Sequence, residues 1–332
     1  MRLENADPLV GGDCVTKRKL DGRVGRHHVG ERFLARIIGL TTLAVTSVMA
    51  TPPVAAQTST TGSVCPDNTP TVFHPCALEA AESYDPPRTP DGQPDLSGVW
   101  DVPGSTFEDL EEHPGTLDDN GYPTLIVDPS DGKVPMQAWA DVRRRELVQE
   151  FVHPAAACFL SGVPYLMYRP DPFQFLQTPE HFVILGERAH GYRVVTLDER
   201  APVGEYITLW NGISTGHWED NTLVIETTHQ NGQSWLDQRA RFYTPAAKIV
   251  ERLTLIGPNT IHYQATVDDP NVYTRPFTLA VAYRRSAEGK ELVEESCYET
   301  NEALMQIYRV SGFSVFPGMS AEEAQEAMAT AP

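Results

Sequence analysis

The chain has 332 residues, 41% hydrophobic and 21% charged, a globular balance that excludes a disordered, collagenous or multi-span membrane protein and leaves room for one or two domains. Its 26 Lys+Arg face 45 Asp+Glu, a net charge of -19, so it lacks the electrostatic footprint of a nucleic acid binder and suits an acidic membrane surface poorly.

Residues 1–30 are polar and weakly patterned. The basic Arg32-Phe33-Leu34-Ala35-Arg36, the apolar run 37–50 and the small residues Val54-Ala55-Ala56 follow, in the order of an export signal. The apolar run is shorter than the roughly 20 residues that span a bilayer. Residues 1–56 are therefore expected to be an export signal with cleavage before Gln57, leaving no integral membrane span and a periplasmic or secreted body. The polar preface points to a start further down, at Val24 or Val29. Cys14 falls in the removed part and leaves Cys65, Cys76, Cys158 and Cys297, which allow three pairings. Cys65 and Cys76 flank a short Pro-containing stretch without helix or strand pattern, which favours a local bridge and leaves Cys158 with Cys297. Such bridges persist in an oxidising compartment. A zinc site would need cysteines two to four residues apart, which are missing, so no metal is expected.

Residues 57–93, rich in Thr, Ser, Pro and Asp, read as an extended arm or linker. The stretch 136–151, with Trp139, Val142, Leu147 and Phe151 near helical spacing, predicts one long helix, and Arg143, Arg144 and Arg145 fit its solvated face. Short runs rich in Val, Ile, Tyr, Phe and Thr then follow at 173–178, 181–186, 190–197, 206–211, 221–228, 248–256, 259–267, 274–285 and 291–299. Hairpin-like connections at Glu219-Asp220-Asn221 and Gly257-Pro258-Asn259 imply antiparallel neighbours. The expected fold is mainly β, an antiparallel barrel or sandwich over 94–317, with the tail 318–332 as a short helix.

Alternation places Ile249, Glu251, Leu253 and Leu255 on one face. A carboxylate among these apolar residues must be paired, protonated or face a cavity, and the readings weighed are an ion pair with an arginine such as Arg193 or Arg252, or a ligand site. Run 190–197 sets His190, Tyr192, Val194 and Thr196 opposite Arg193, Val195 and Leu197. His190 suits proton transfer near neutral pH and could share a cavity wall with Tyr192, across from Glu251 or Glu299. The catalytic candidates are thus His190, Tyr192 and Glu251. Arg193, Trp235, Asp237 and Glu299 are the candidates for substrate contact, the Trp235-Leu236-Asp237 segment standing where a pocket mouth would be. Asp268-Asp269-Pro270 reads as a turn, without the ligand spacing of a calcium loop. No Gly-x-Ser-x-Gly, phosphate-cradling loop, His-Glu-x-x-His or Cys-x-x-Cys occurs, which disfavours serine-triad, nucleotide, zincin and haem chemistry and implies no cofactor.

Gly-x-Trp occurs as Gly98-Val99-Trp100 and Gly216-His217-Trp218. Together with PRTPDGQPDLSGVW, CFLSGVPYLMY, AHGYRVV, GHWEDNTLVIETT, WLD, DDPNVYTRPFTL and SCYETNE, residues 86–303 resemble a widespread family of exported bacterial proteins. The resemblance implies a lipocalin-like barrel, with the Gly-x-Trp tryptophan plugging its closed end. Carotenoid hydratases share that architecture, but fold analogy transfers no catalytic residue. Three readings follow: a cofactor-independent lyase, isomerase or hydratase acting on an apolar or aromatic small molecule; a non-catalytic carrier; or an envelope interaction protein. A cavity with two convergent titratable groups marks the first, a cavity without them the second and a filled barrel the third.

Overall fold

Nine strands, some with period-two alternation of buried side chains and some buried on both faces, build the computed structural model, which describes residues 64–114, 121–188, 191–198 and 206–331. The strands are β1 (Gly98–Asp101), β2 (Phe173–Gln177), β3 (His181–Gly186), β4 (Tyr192–Thr196), β5 (Ile213–Glu219), β6 (Thr222–Thr228), β7 (Lys248–Gly257), β8 (Thr260–Asp268) and β9 (Phe277–Arg285). Each pairs with the next in chain order, and β1 also pairs with β9, closing a nine-stranded barrel without a free edge. A short strand, Ile126–Asp128, pairs with the start of β9 at Thr278 and Leu279, while β1 pairs with its end.

The barrel is mixed rather than wholly antiparallel, because β4 and β5 run parallel. A parallel step needs a long return connection, and residues 197–212 supply it. The predicted strand 206–211 lies within this connection. Its apolar side chains have no face to bury, with Tyr206 97% exposed, and Leu209 makes only an isolated bridge to Gln230. Run 291–299 is not a strand either. Val293 is exposed and the segment ends in α4 (Cys297–Thr300), since β9 is already paired on both sides by β8 and β1.

Helix α2 (Ala138–Glu150) matches the predicted one and buries Trp139, Ala140 and Leu147. It is not the one long helix, because α1 (Pro70–Ser83) has 14 residues, and after the single turn α3 (Tyr165–Tyr168), α5 (Glu302–Ser311) and α6 (Ala321–Thr330) follow near the end. Helix α1 corrects the reading of 57–93 as an extended arm. Pro70 sits in its first turn, where no N–H partner is lost. Phe73 and Ala77, one turn apart, pack on Ile256 and Ala282 of the outer barrel wall.

Cys65 is bonded to Cys76 and Cys158 to Cys297. Peptide mapping without reductant is expected to recover these two linked pairs. After reduction, amide protection should fall first around 297–311, whose helices bury only Cys297 and Met305; uniform loss across the barrel would contradict this. The export signal lies outside the described residues. No helix among the described residues is long and apolar enough to cross a membrane.

Inside, Trp100, Phe173, Phe175, Phe182, Tyr263 and Tyr283 are almost fully buried and touch ring to ring, with centroids 5.0–6.4 Å apart. The Arg285 guanidinium lies 4.3 Å from the Trp100 ring centroid, and the Trp100 indole N–H donates to Leu96 O at 3.0 Å. Trp100 is thus held at the seam where β1 meets β9.

Candidate functional site

Residues 249, 251, 253 and 255 of β7 all point into the barrel, as their alternation requires. Glu251 is the one charge in that row, and Arg193 of β4 meets it: Nη1 donates to Oε1 at 3.0 Å and Nη2 to Oε2 at 2.6 Å. The two side chains are 0% and 2% exposed. Tyr263 Oη donates to Oε1 at 2.9 Å, while Arg193 Nη2 also reaches Ser214 Oγ at 2.9 Å and Thr227 Oγ1 at 3.0 Å. Burial pulls Arg193 down, but the Glu251 carboxylate outweighs it and holds the guanidinium above its ordinary pKa. Burial first and Glu251 second push Tyr263 well above a phenol's usual range, and Tyr283 likewise. The centre therefore holds a fixed cation and two fixed phenols. A proton shuttle needs groups poised near the working pH, and these side chains are not.

A second polar layer is built from loops beside the barrel. Asp237 is buried and accepts from the backbone N–H of Leu110 at 3.1 Å, Arg239 at 3.0 Å and Arg241 at 3.2 Å. The Arg241 guanidinium bonds Asp237, reaches Asp109 at 2.6 Å and meets Glu111 at 3.0 Å. Burial raises Glu111, yet Arg241, the Val134 N–H and Lys133 together bring it below the ordinary carboxylate range. Trp235 packs edge-on against His153, centroids 5.4 Å apart. The His153 Nδ1 accepts from the Ala155 N–H at 3.0 Å, and burial, then the charge of Arg169, lowers its pKa to about 3. His153 is therefore neutral, with Nδ1 as acceptor. Arg169 bridges Asp171 at 2.7 Å and the Tyr165 hydroxyl at 2.8 Å, and burial pushes Tyr165 up to about 12.

Of the predicted site residues, the structure brings Arg193 and Glu251 together and sets Trp235 and Asp237 in the loop layer. Tyr192 is 66% exposed on the outer face, because β4 turns Arg193 and Val195 inward, so Tyr192 shares no wall with Glu251. Glu299 is exposed on α4. His190 lies outside the described residues. Arg252, the other partner considered for Glu251, pairs with Glu219 on the outside at 2.8 Å. The turn at Asp269 is closed by its own neighbours: the carboxylate accepts from Thr244 N at 2.7 Å and Asn271 N at 3.0 Å.

Sequence reasoning missed Tyr263, Ser214, Thr227, His153 and Arg241. Tyr263 was within reach, since it alternates with Ile261, Ala265 and Val267 in β8. Ser214 was hidden with its strand. The arginine and histidine of the loop layer stand in segments with no period to read.

No protein-family model matches the chain, and no curated protein does so either.

Proposed function

We propose that the chain is an exported, non-catalytic interaction protein in which the barrel is a scaffold and the outer surface does the binding. The observation that carries this reading is the engaged polar centre of the barrel, where the Glu251 carboxylate accepts from both Arg193 Nη groups and from Tyr263, and where, among the described residues, aromatic rings in mutual contact stand beside it. A lyase, isomerase or hydratase would need a carboxylate with a free lone pair beside a second group that returns the proton. A carrier would need an apolar cavity where those rings stand. The two disulfides suit an oxidising compartment, which is where the signal pattern would deliver the chain.

The test is a thermal-shift screen with fatty acids, polyenes and fused aromatic compounds. A compound held in the barrel at a hundred times its Kd adds about 2.7 kcal/mol, and in a domain of this size each kcal/mol is worth roughly 2–4 °C of melting temperature. No shift of that size is expected. One that reaches it and is reproduced by calorimetric titration would overturn the scaffold reading.

A further inference from the structure

The three consecutive arginines of α2 part company in the structure. Arg143 turns to Glu146 at 3.1 Å and Glu150 at 3.3 Å. Arg144 and Arg145 both turn to a single carboxylate, Asp141, the former through Nε at 2.7 Å. Beside them stands Arg239, which meets Asp109 through Nε at 3.3 Å, a carboxylate that Arg241 holds more closely at 2.6 Å. Arg144, Arg145 and Arg239, with Val148 and Gln149, line an open cleft of about 500 Å³. No carboxylate lines it. Among the described residues, the Nη groups of Arg144 and Arg239 and Nη2 of Arg145 make no hydrogen bond to a carboxylate.

We propose that this cleft binds the phosphate group of a small soluble phosphorylated molecule. The inference goes beyond the scaffold reading by naming a ligand for one part of the surface. A planar guanidinium offers paired N–H donors that match a phosphate edge in bidentate fashion, which an ammonium cannot do. Three of them line one cleft with Nη donors that the hydrogen bonds to Asp141 and Asp109 leave unused, so an added dianion finds donors ready to accept from. The cleft is open to solvent and wider than a bare ion requires, with Val148 available to an apolar portion and the Gln149 amide to a hydroxyl. A phosphate borne on an anionic bilayer is disfavoured, because the net charge of -19 repels an extended negative surface while a small ligand keeps its charge within the cleft.

The test is isothermal titration of the purified full chain with glycerol 1-phosphate and inorganic phosphate, with glycerol and sodium chloride at matched ionic strength as controls. Saturable binding of glycerol 1-phosphate is expected, weakened about tenfold or more in Arg145→Gln and in Arg239→Gln, as loss of a charged hydrogen bond implies, and unchanged in Arg143→Gln. These are exposed surface pairs, so melting temperatures should stay close to that of the parent chain. Absence of saturable binding, or binding that survives both Arg145→Gln and Arg239→Gln, overturns the proposal. Binding to phosphatidic acid vesicles without binding to glycerol 1-phosphate overturns the soluble ligand. A ligand found inside the barrel would remove the scaffold reading and leave the cleft standing, whereas failure of the cleft leaves the scaffold reading intact.

Discussion

Replacing Glu251 by Gln is expected to destabilise the protein by about 3–5 kcal/mol, the usual consequence of removing one partner of a buried ion pair. Gln keeps the size and some hydrogen bonding, but the Arg193 guanidinium stays sealed in the barrel, 2% exposed, with only Ser214 and Thr227 hydroxyls and an amide for company. At roughly 2–4 °C per kcal/mol, the melting temperature should drop on the order of 10 °C. The double variant Arg193→Met with Glu251→Leu removes both charges and should recover much of that loss, because matched apolar side chains often equal or exceed a buried pair. Urea denaturation of the parent, single and double variants measures all three. A single variant within about 0.5 kcal/mol of the parent, below the range for any buried charge loss, would mean that the pair does not hold the barrel.

Acid should act on the protein through two histidines. His153 is lowered to about 3 by burial and Arg169, and His262 to about 3 by burial and its neighbour His74. Around His262 stand His74, whose Nδ1 shares a hydrogen bond with His262 Nε2 at 3.0 Å, and Phe73 of α1. The strands beside β8 present Thr254 and Ala282 to it. Around His153 stand Tyr165, Trp235 and Arg169. Neither set supplies a carboxylate contact among these neighbours. Unfolding raises both histidines to about 6.5, so between pH 6.5 and 3 the unfolded chain binds protons that the folded one refuses. Their neutral-form contribution is complete above pH 6.5 and is lost as the pH falls towards 3, at about 1.4 kcal/mol per pH unit for each histidine. The combined loss between pH 6.5 and 4.5 is on the order of 5 kcal/mol, a large part of an ordinary domain's stability. Glu111 and Asp141, both lowered in the fold, steepen the fall further down. Denaturation midpoints at pH 7, 5.5 and 4.5 follow the trend, and His262→Gln should flatten it. Equal stability at pH 6.5 and 4.5 would show that these rings take up protons freely in the folded state.

The legible parts of this fold are those where one physical signal stands alone. Strand β7 could be read because a single polar residue interrupts a period-two apolar row, and a carboxyl in that position must be paired, protonated or face a cavity. Arg193 was one of two nearby choices for the partner, and side-chain parity alone could not choose between faces across strands. Strand β5 was illegible because two of its inward positions are Ser214, which bonds Arg193, and Gly216, which makes room for Val195 and Leu197, so that Trp218 at its end is the one large apolar side chain on that face. Run 206–211 misled for the opposite reason: its β-branched and aromatic residues have strand propensity without a sheet to join. Propensity also says nothing of direction, so the parallel step could not be read. Helix α1 was masked by Pro75, although Phe73 and Ala77 mark a buried stripe.

The closure of the barrel sets an order of events for a chain made from its N-terminus. Trp100 of β1 pairs opposite Arg285 of β9, so the first wall to be synthesised waits for the last before its edge is satisfied. The hairpins from β5 to β6 and from β7 to β8 join near neighbours and close at small entropic cost, whereas the β1–β9 seam spans most of the barrel sequence. Until Arg285 has emerged, one edge of β1 and the apolar face of Trp100 remain open to other chains. The interval of greatest aggregation hazard is therefore built into the topology, ahead of any question of final stability.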